Sequence, residues 1–234
     1  MDLQHEDFKA KHPVGFCKIP SDRAKVPLLS VGGQQFVAPL EVDLRGYATK
    51  TEDQGQFPYC AAYTASQFTE NIKWRVNGYP KDIDPVPLYR FAKTIDGDPN
   101  GDGTTLDAVC EALRHYGYFD ADKCRTRLIW GDEGNARDNI RFALHRYGVA
   151  LGAFNITEEW YDKKATNHVI ADPNSWHIGG HATCITGYNP QGVIIQNSWG
   201  KSWGLKGFAI ISWAEFDRQF IYAAVLTNAL DGLK

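Results

Sequence analysis

Residues 53–66 read DQGQFPYCAAYTAS. Gln54 precedes Cys60 by six positions, no second cysteine is near, and Cys60 opens an Ala-rich run. Beyond it, Ala62, Ala65, Phe68, Ile72 and Val76 recur at steps of three and four, one apolar stripe of a helix over 60–76. Asn77, Gly78 and Pro80 are its stop signals. A thiol at a helix N-terminus meets unpaired N–H groups and a partial positive charge, both of which favour the thiolate. Cys60 is therefore either a small buried core residue or a nucleophile.

Outward from this helix, Leu106, Val109, Cys110, Leu113 and Tyr116 form a second helical face, closed by Gly117. Ile140, Ala143, Leu144 and Tyr147 form a third, closed by Gly148. From 149 the texture turns to strands: VALGAF, HATCITGY (181–188), GVIIQNSW (192–199) and GFAIIS (207–212), with NPQG and WGLKG as turns. Helices early and strands late predict an α+β fold. Residues 1–40 carry turn pieces such as KHP and VGGQ without sustained periodicity and read as an extended N-terminal arm.

A nucleophilic thiol needs an imidazole beside it. Of the seven histidines, His5 and His12 lie in the irregular arm, His115 and His145 near helix ends, and His168 and His177 in expected loops. His181 alone leads directly into an apolar strand. Asn197 stands on the next strand, which a short turn makes a neighbour, so its amide can orient the ring. The Gln54 side chain and the Cys60 backbone N–H are candidate donors to a developing oxyanion.

On QGQFPYC (54–60), GGHATCITGYN (179–189) and NSWGKSWGLKGF (197–208), in that order, the sequence resembles the papain family of cysteine peptidases. VDLR (42–45) resembles the start of the mature domain in that family. The resemblance implies a two-lobe fold with a cleft between a helical lobe, roughly 50–125, and a β-barrel-like lobe, roughly 126–234, within a peptidase domain of 41–234. It implies Cys60 as nucleophile, His181 as acid/base, Asn197 as orienter and Gln54 as oxyanion donor. Trp199 would shield the His–Asn contact, and Gly180 would line the cleft. Gly103 would mark the stretch that pairs antiparallel with substrate. Residues 1–40 would be a surface arm or a short inhibitory segment lying in the cleft.

Four positions depart from the family pattern. Phe57 stands where a disulfide cysteine is usual, and Ala61 replaces a common tryptophan. Pro58-Tyr59 replaces a Gly-Ser pair, which predicts a narrower pocket beside the scissile bond. DGDPNGDGTTLD (96–107) resembles an EF-hand loop, but its twelfth position is Asp and Pro99 and Gly103 interrupt it, so a solvated acidic turn is the plainer reading. Asn155-Ile-Thr is a glycosylation triplet.

Net charge is −3, so nothing in the composition points to nucleic acid or an anionic membrane as partner. The apolar runs are too short to span a bilayer, and the N-terminus has no apolar signal core, so a cytoplasmic protein, or one exported without a recognisable signal, is expected. The five cysteines show no C-x-x-C pair. The expectation is a cysteine endopeptidase acting on peptide or protein substrates through an acyl-enzyme thioester, with no metal or cofactor. The alternatives are a catalytically silent relative that binds peptides, and a deamidase or transglutaminase-type acyl-transfer enzyme.

Overall fold

The computed structural model describes residues 3–15, 17–20, 22, 26–29, 37–79, 81–162 and 169–230. His168, parts of the arm and the His5 side chain lie outside the described residues.

The helix predicted from Cys60 runs Cys60–Asn77 (α2). It is buried along most of its length and ends on Gly78, whose φ of 76° is the left-handed conformation that glycine adopts without a Cβ penalty. Two shorter helices pack on it, Pro85–Lys93 (α3) and Leu106–His115 (α4). The α3 segment PVPLYRFAK carries two prolines and gives little helical signal. Pro85 nevertheless occupies the first turn, where its missing N–H costs nothing, and Asp84 caps the helix by accepting the Val86 N–H. Thr105 caps α4 in the same way through Ala108.

Eight strands form the sheet: Val42–Asp43 (β1), Arg125–Trp130 (β2), Ala150–Thr157 (β3), Val169–Ile170 (β4), His177–Tyr188 (β5), Gly192–Gln196 (β6), Phe208–Ser212 (β7) and Phe220–Thr227 (β8). Their order is β2-β8-β3-β5-β6-β7-β4, with β1 paired to β5; the β4–β7 pair is parallel and the other strand pairs among the described residues are antiparallel. Two further helices are Ala136–Tyr147 (α5) and Trp213–Gln219 (α6). The strand β2 lies before residue 149, where the sequence first looks strand-like, because only its second half is apolar.

Both faces of the sheet are covered. Leu128 and Trp130 on β2, with Tyr222, Ala224 and Leu226 on β8, share a cluster with α2–α4. Ile129, Ala223 and Val225 point the other way and join α5. Alternate residues thus meet two separate cores, which is why IYAAVL is continuously apolar rather than alternating.

The N-terminal arm departs from the extended expectation. It begins with a helix, Leu3–Lys11 (α1), whose Phe8 ring lies edge-on to Tyr161 and Trp199. After α1 the chain crosses between α4 and β5, and at 27–29 it pairs with β2 through Pro27, Leu29 and Leu128.

Candidate active site

The α2 N-terminus and β5 bring Cys60 and His181 to the same place. Both are fully buried, and the Cys60 thiol lies against the backbone amides of Ala182, Ala61 and Cys60 itself. His181 Nε2 is 2.8 Å from Asn197 Oδ1. That oxygen also accepts the Ser198 N–H at 2.8 Å, which identifies it as the amide oxygen and makes His181 Nε2 the protonated nitrogen. The Nδ1 nitrogen then carries the lone pair able to receive a thiol proton. Asn197 is itself fixed by its N–H to Gly207 O at 2.8 Å and by its carbonyl, which accepts Gln67 Nε2 at 3.1 Å.

Gln54 is buried and oriented by Ser198, whose hydroxyl donates to Gln54 Oε1 at 2.6 Å. The same pair is joined through the backbone, Gln54 N–H to Ser198 O at 2.8 Å. Nε2 therefore faces the turn before Cys60, where it donates to Phe57 O at 3.0 Å. Ser198 carried no assigned role in the sequence, although it lies inside the NSWG run. Only the side-chain contact across 144 positions reveals it.

Trp199 is fully buried with its ring 4.7 Å from that of His181 and stacked on Tyr161 at 4.9 Å. It walls the imidazole off from solvent. Tyr59, beside Cys60, is drawn away along a row of rings: 5.3 Å from Phe57 and 4.0 Å from Tyr89.

Gly103 and Gly180 take different parts. The Gly103 backbone is already engaged, its carbonyl by Lys93 Nζ at 2.9 Å and its amide by the Tyr89 hydroxyl. The neighbouring residue makes the cross-cleft pairing instead: Lys18 N–H donates to Thr104 O at 3.0 Å. Gly180 O accepts the N–H groups of Gly15 at 2.9 Å and Cys17 at 3.4 Å. The arm thus crosses between Gly180, the residue before His181, and Thr104 ahead of α4. Its mooring continues at His12, whose Nε2 lies 2.8 Å from Asp53 Oδ1 next to Gln54, and at Tyr161, whose hydroxyl donates to His12 O.

Burial dominates the electrostatics of the site. Burial pushes the Cys60 thiol up to about 11, against the opposing pull of the three backbone amides. Burial pushes His181 down to about 4, although Asn197 favours the charged ring. In this arrangement both groups are neutral at pH 7, so the thiolate favoured by the helix terminus is overridden by desolvation.

The EF-hand-like stretch 96–107 does not gather its carboxylates. Asp96 pairs with Lys93, Asp98 with Lys18 of the arm, and Asp98 Oδ1 accepts the Gly101 N–H. Among the described residues, the one acidic group close enough to share an ion is Glu52, Glu70 and Asp82. All five cysteines are free and buried, and Asn155 is paired with Gly180 within the sheet. No helix among the described residues is long and apolar enough to cross a membrane.

A family model described as papain family cysteine protease matches residues 119–223, which takes in His181 and Asn197 and leaves Cys60 and Gln54 outside. Procathepsin L of Felis catus is 23% identical over 199 residues, covering 73% of this chain and 59% of the relative. The chain thus spans about three fifths of that relative's length. The solved structure of xylellain, a cysteine protease from Xylella fastidiosa, superposes with a TM-score of 0.72 at 16% identity, over 93% of this chain and 97% of that one. Procathepsin B S9 from Trypanosoma congolense gives 0.70 at 13% identity, over 97% and 89%.

Proposed function

The chain belongs to the papain family of cysteine proteases, and from that premise we propose that it is a cysteine peptidase kept latent by its own N-terminal segment. The observation that carries this reading is the His181–Asn197 hydrogen bond beside the buried Cys60 thiol.

Once the arm leaves, water and substrate reach the site and the desolvation that keeps both groups neutral falls away. His181 Nδ1 takes the Cys60 proton, and the thiolate attacks a peptide carbonyl. Gln54 Nε2 and the Cys60 N–H receive the oxyanion. The imidazolium returns its proton to the leaving amine, and a thioester forms. Water, deprotonated by the same imidazole, then releases the acid and restores the thiol. Pro58 lacks an N–H, but the backbone donor belongs to Cys60, two positions on, so the proline leaves the oxyanion site whole.

Latency follows from the arm's polarity. Cys17 pairs with Thr104 in parallel, whereas a substrate would pair antiparallel with this stretch. The arm therefore fills the cleft with its peptide bonds running the wrong way for attack. Two of the similar proteins are, by name, proforms, which agrees with a covering segment.

The test is cleavage of a denatured protein by the full chain and by a chain beginning at residue 21, with Cys60→Ala as control. New termini only with Cys60 present, and faster without the arm, are expected. Ammonia release from glutamine side chains with no chain cleavage would instead identify an acyl-transfer enzyme. Neither product from a chain that still binds the arm as a peptide would identify a silent relative.

A further inference from the structure

The contact between Gln67 and Asn197 reaches further than the backbone it touches. Gln67 follows Cys60 on α2 by seven positions, about two helical turns, which places both on one face. It is buried, and its amide is divided. Nε2 donates to Asn197 O at 3.1 Å, while Oε1 has no hydrogen-bond partner among the described residues. Asn197 O can only accept, so the orientation of the amide follows from the contact. Burying an amide with one end unmet costs stability, so packing alone does not account for this side chain.

The carbonyl that Gln67 holds belongs to the peptide unit 197–198, a rigid plane whose other polar group is the Ser198 N–H. That N–H donates to Asn197 Oδ1 at 2.8 Å, and the same oxygen lies 2.8 Å from His181 Nε2. Turning the plane moves the N–H with it. One line of contacts therefore runs from α2 through the peptide plane and the Asn197 amide to the imidazole. The planes on either side are pinned by backbone groups, Asn197 N–H to Gly207 O and Gln54 N–H to Ser198 O, each at 2.8 Å. The middle plane is pinned by a side chain, and a substitution can release it. At the N-terminal end of the same helix, the Cys60 thiol meets the amide of Ala182, the residue after His181. The helix of the thiol thus grips the ring's surroundings at two points.

We propose that Gln67 is a positioning residue: through the 197–198 peptide plane it sets the direction of the Asn197 amide and so holds His181 as the Nε2–H tautomer. The contacts belong to the fold; their value for turnover rests on the peptidase reading.

Spectra of the full chain labelled with 15N-histidine read the tautomer directly, the His181 signals being assigned by their loss in His181→Gln. At pH 5.5 the ring is neutral, since burial pushes it down to about 4. The wild type should show Nε2 protonated and Nδ1 bare. Gln67→Met, similar in size and unable to donate, should give a mixture of the two tautomers. Its melting temperature should stay near that of the wild type, because it removes the unmet Oε1 as it leaves Asn197 O unmet. Gln67→Glu should restore the single tautomer, since a neutral carboxyl donates to Asn197 O; burial already pushes Glu70 on the same helix up to about 7. Asn71→Leu is the control. It removes the bond from Asn71 Nδ2 to Leu44 O, 3.1 Å, on the same helix, and should leave the tautomer as in the wild type. A single tautomer retained in Gln67→Met, or a mixture in Asn71→Leu as well, overturns the proposal. If Gln67→Met does not fold, Gln67→Asn, whose amide falls one carbon short, takes its place with the same mixture expected.

Cleavage of a denatured protein by the same full chains carries the test to turnover. Gln67→Met should lower kcat about ten- to a hundredfold at unchanged KM, and Gln67→Glu should regain it at pH 5.5. A rise in KM at unchanged kcat overturns the proposal and leaves the peptidase reading standing. No cleavage by the wild type, with the tautomer series intact, removes the peptidase reading and leaves the positioning of His181 by Gln67.

Discussion

The Asn197 side-chain oxygen fixes how the His181 ring is held. Asn197 Oδ1 takes two N–H donors, so the ring presents Nδ1 to the thiol side. Replacing Asn197 by Ala should free the ring and cost roughly a hundredfold in kcat, with His181→Ala costing roughly a hundred- to ten-thousandfold; activity of the arm-free chain measures both. Ser198 offers a sharper test. Its hydroxyl fixes the Gln54 amide, whose second N–H, on the proposed mechanism, meets the substrate oxygen as the oxyanion forms. Ser198→Ala should lower kcat about ten- to a hundredfold at unchanged KM. A change in KM alone would contradict the role given to Gln54. Cys60, Gln54, His181 and Asn197 were legible because each sits in a short run with its own spacing. Ser198 and Thr104 were not, because their roles are contacts between distant parts of the chain.

At the scale of elements, α2 carries Cys60 at one end and a buried acidic cluster along its side. Glu70 accepts Thr49 Oγ1 and the Ile83 N–H, tying the segment before Gln54 to the one before α3. Glu52 accepts Ser66 Oγ at 3.1 Å and faces Lys50. Burial pushes both carboxyls up from 4.5 to about 7. The folded state thus holds their protons more tightly than the unfolded chain does. The stability they contribute is fully present below pH 4.5 and is lost as pH rises through about 7. Glu70→Gln, which mimics the neutral acid, should match the wild type near pH 5 and exceed it by about 1–3 kcal/mol near pH 8. Denaturant unfolding at the two pH values measures this; an identical difference at both would refute it. The same scale shows why elements were missed. Pro85 and Pro87 masked α3 although a first-turn proline is harmless, and α1 is a short helix whose apolar Phe8 packs on Tyr161 and Trp199, far along the chain.

Across the whole molecule, the sheet separates two cores and the arm bridges the cleft over the site. The two-lobe α+β outline followed from helices preceding strands and from the motif order. The path of the arm did not, since its bonds to Gly180 and Thr104 are made by backbone groups that any residue supplies. On the proposed latency, the covering arm is what keeps this helix-terminal cysteine a desolvated neutral thiol. The most direct measurement is the alkylation rate of Cys60 near pH 5.5, in the full chain and in the chain beginning at residue 21, each with and without His181→Ala. The account predicts a slow full chain that speeds up only as pH rises toward the raised thiol value, and a fast truncated chain whose advantage disappears without His181. Equal rates in full and truncated chains, or a fast truncated chain indifferent to His181, would contradict it.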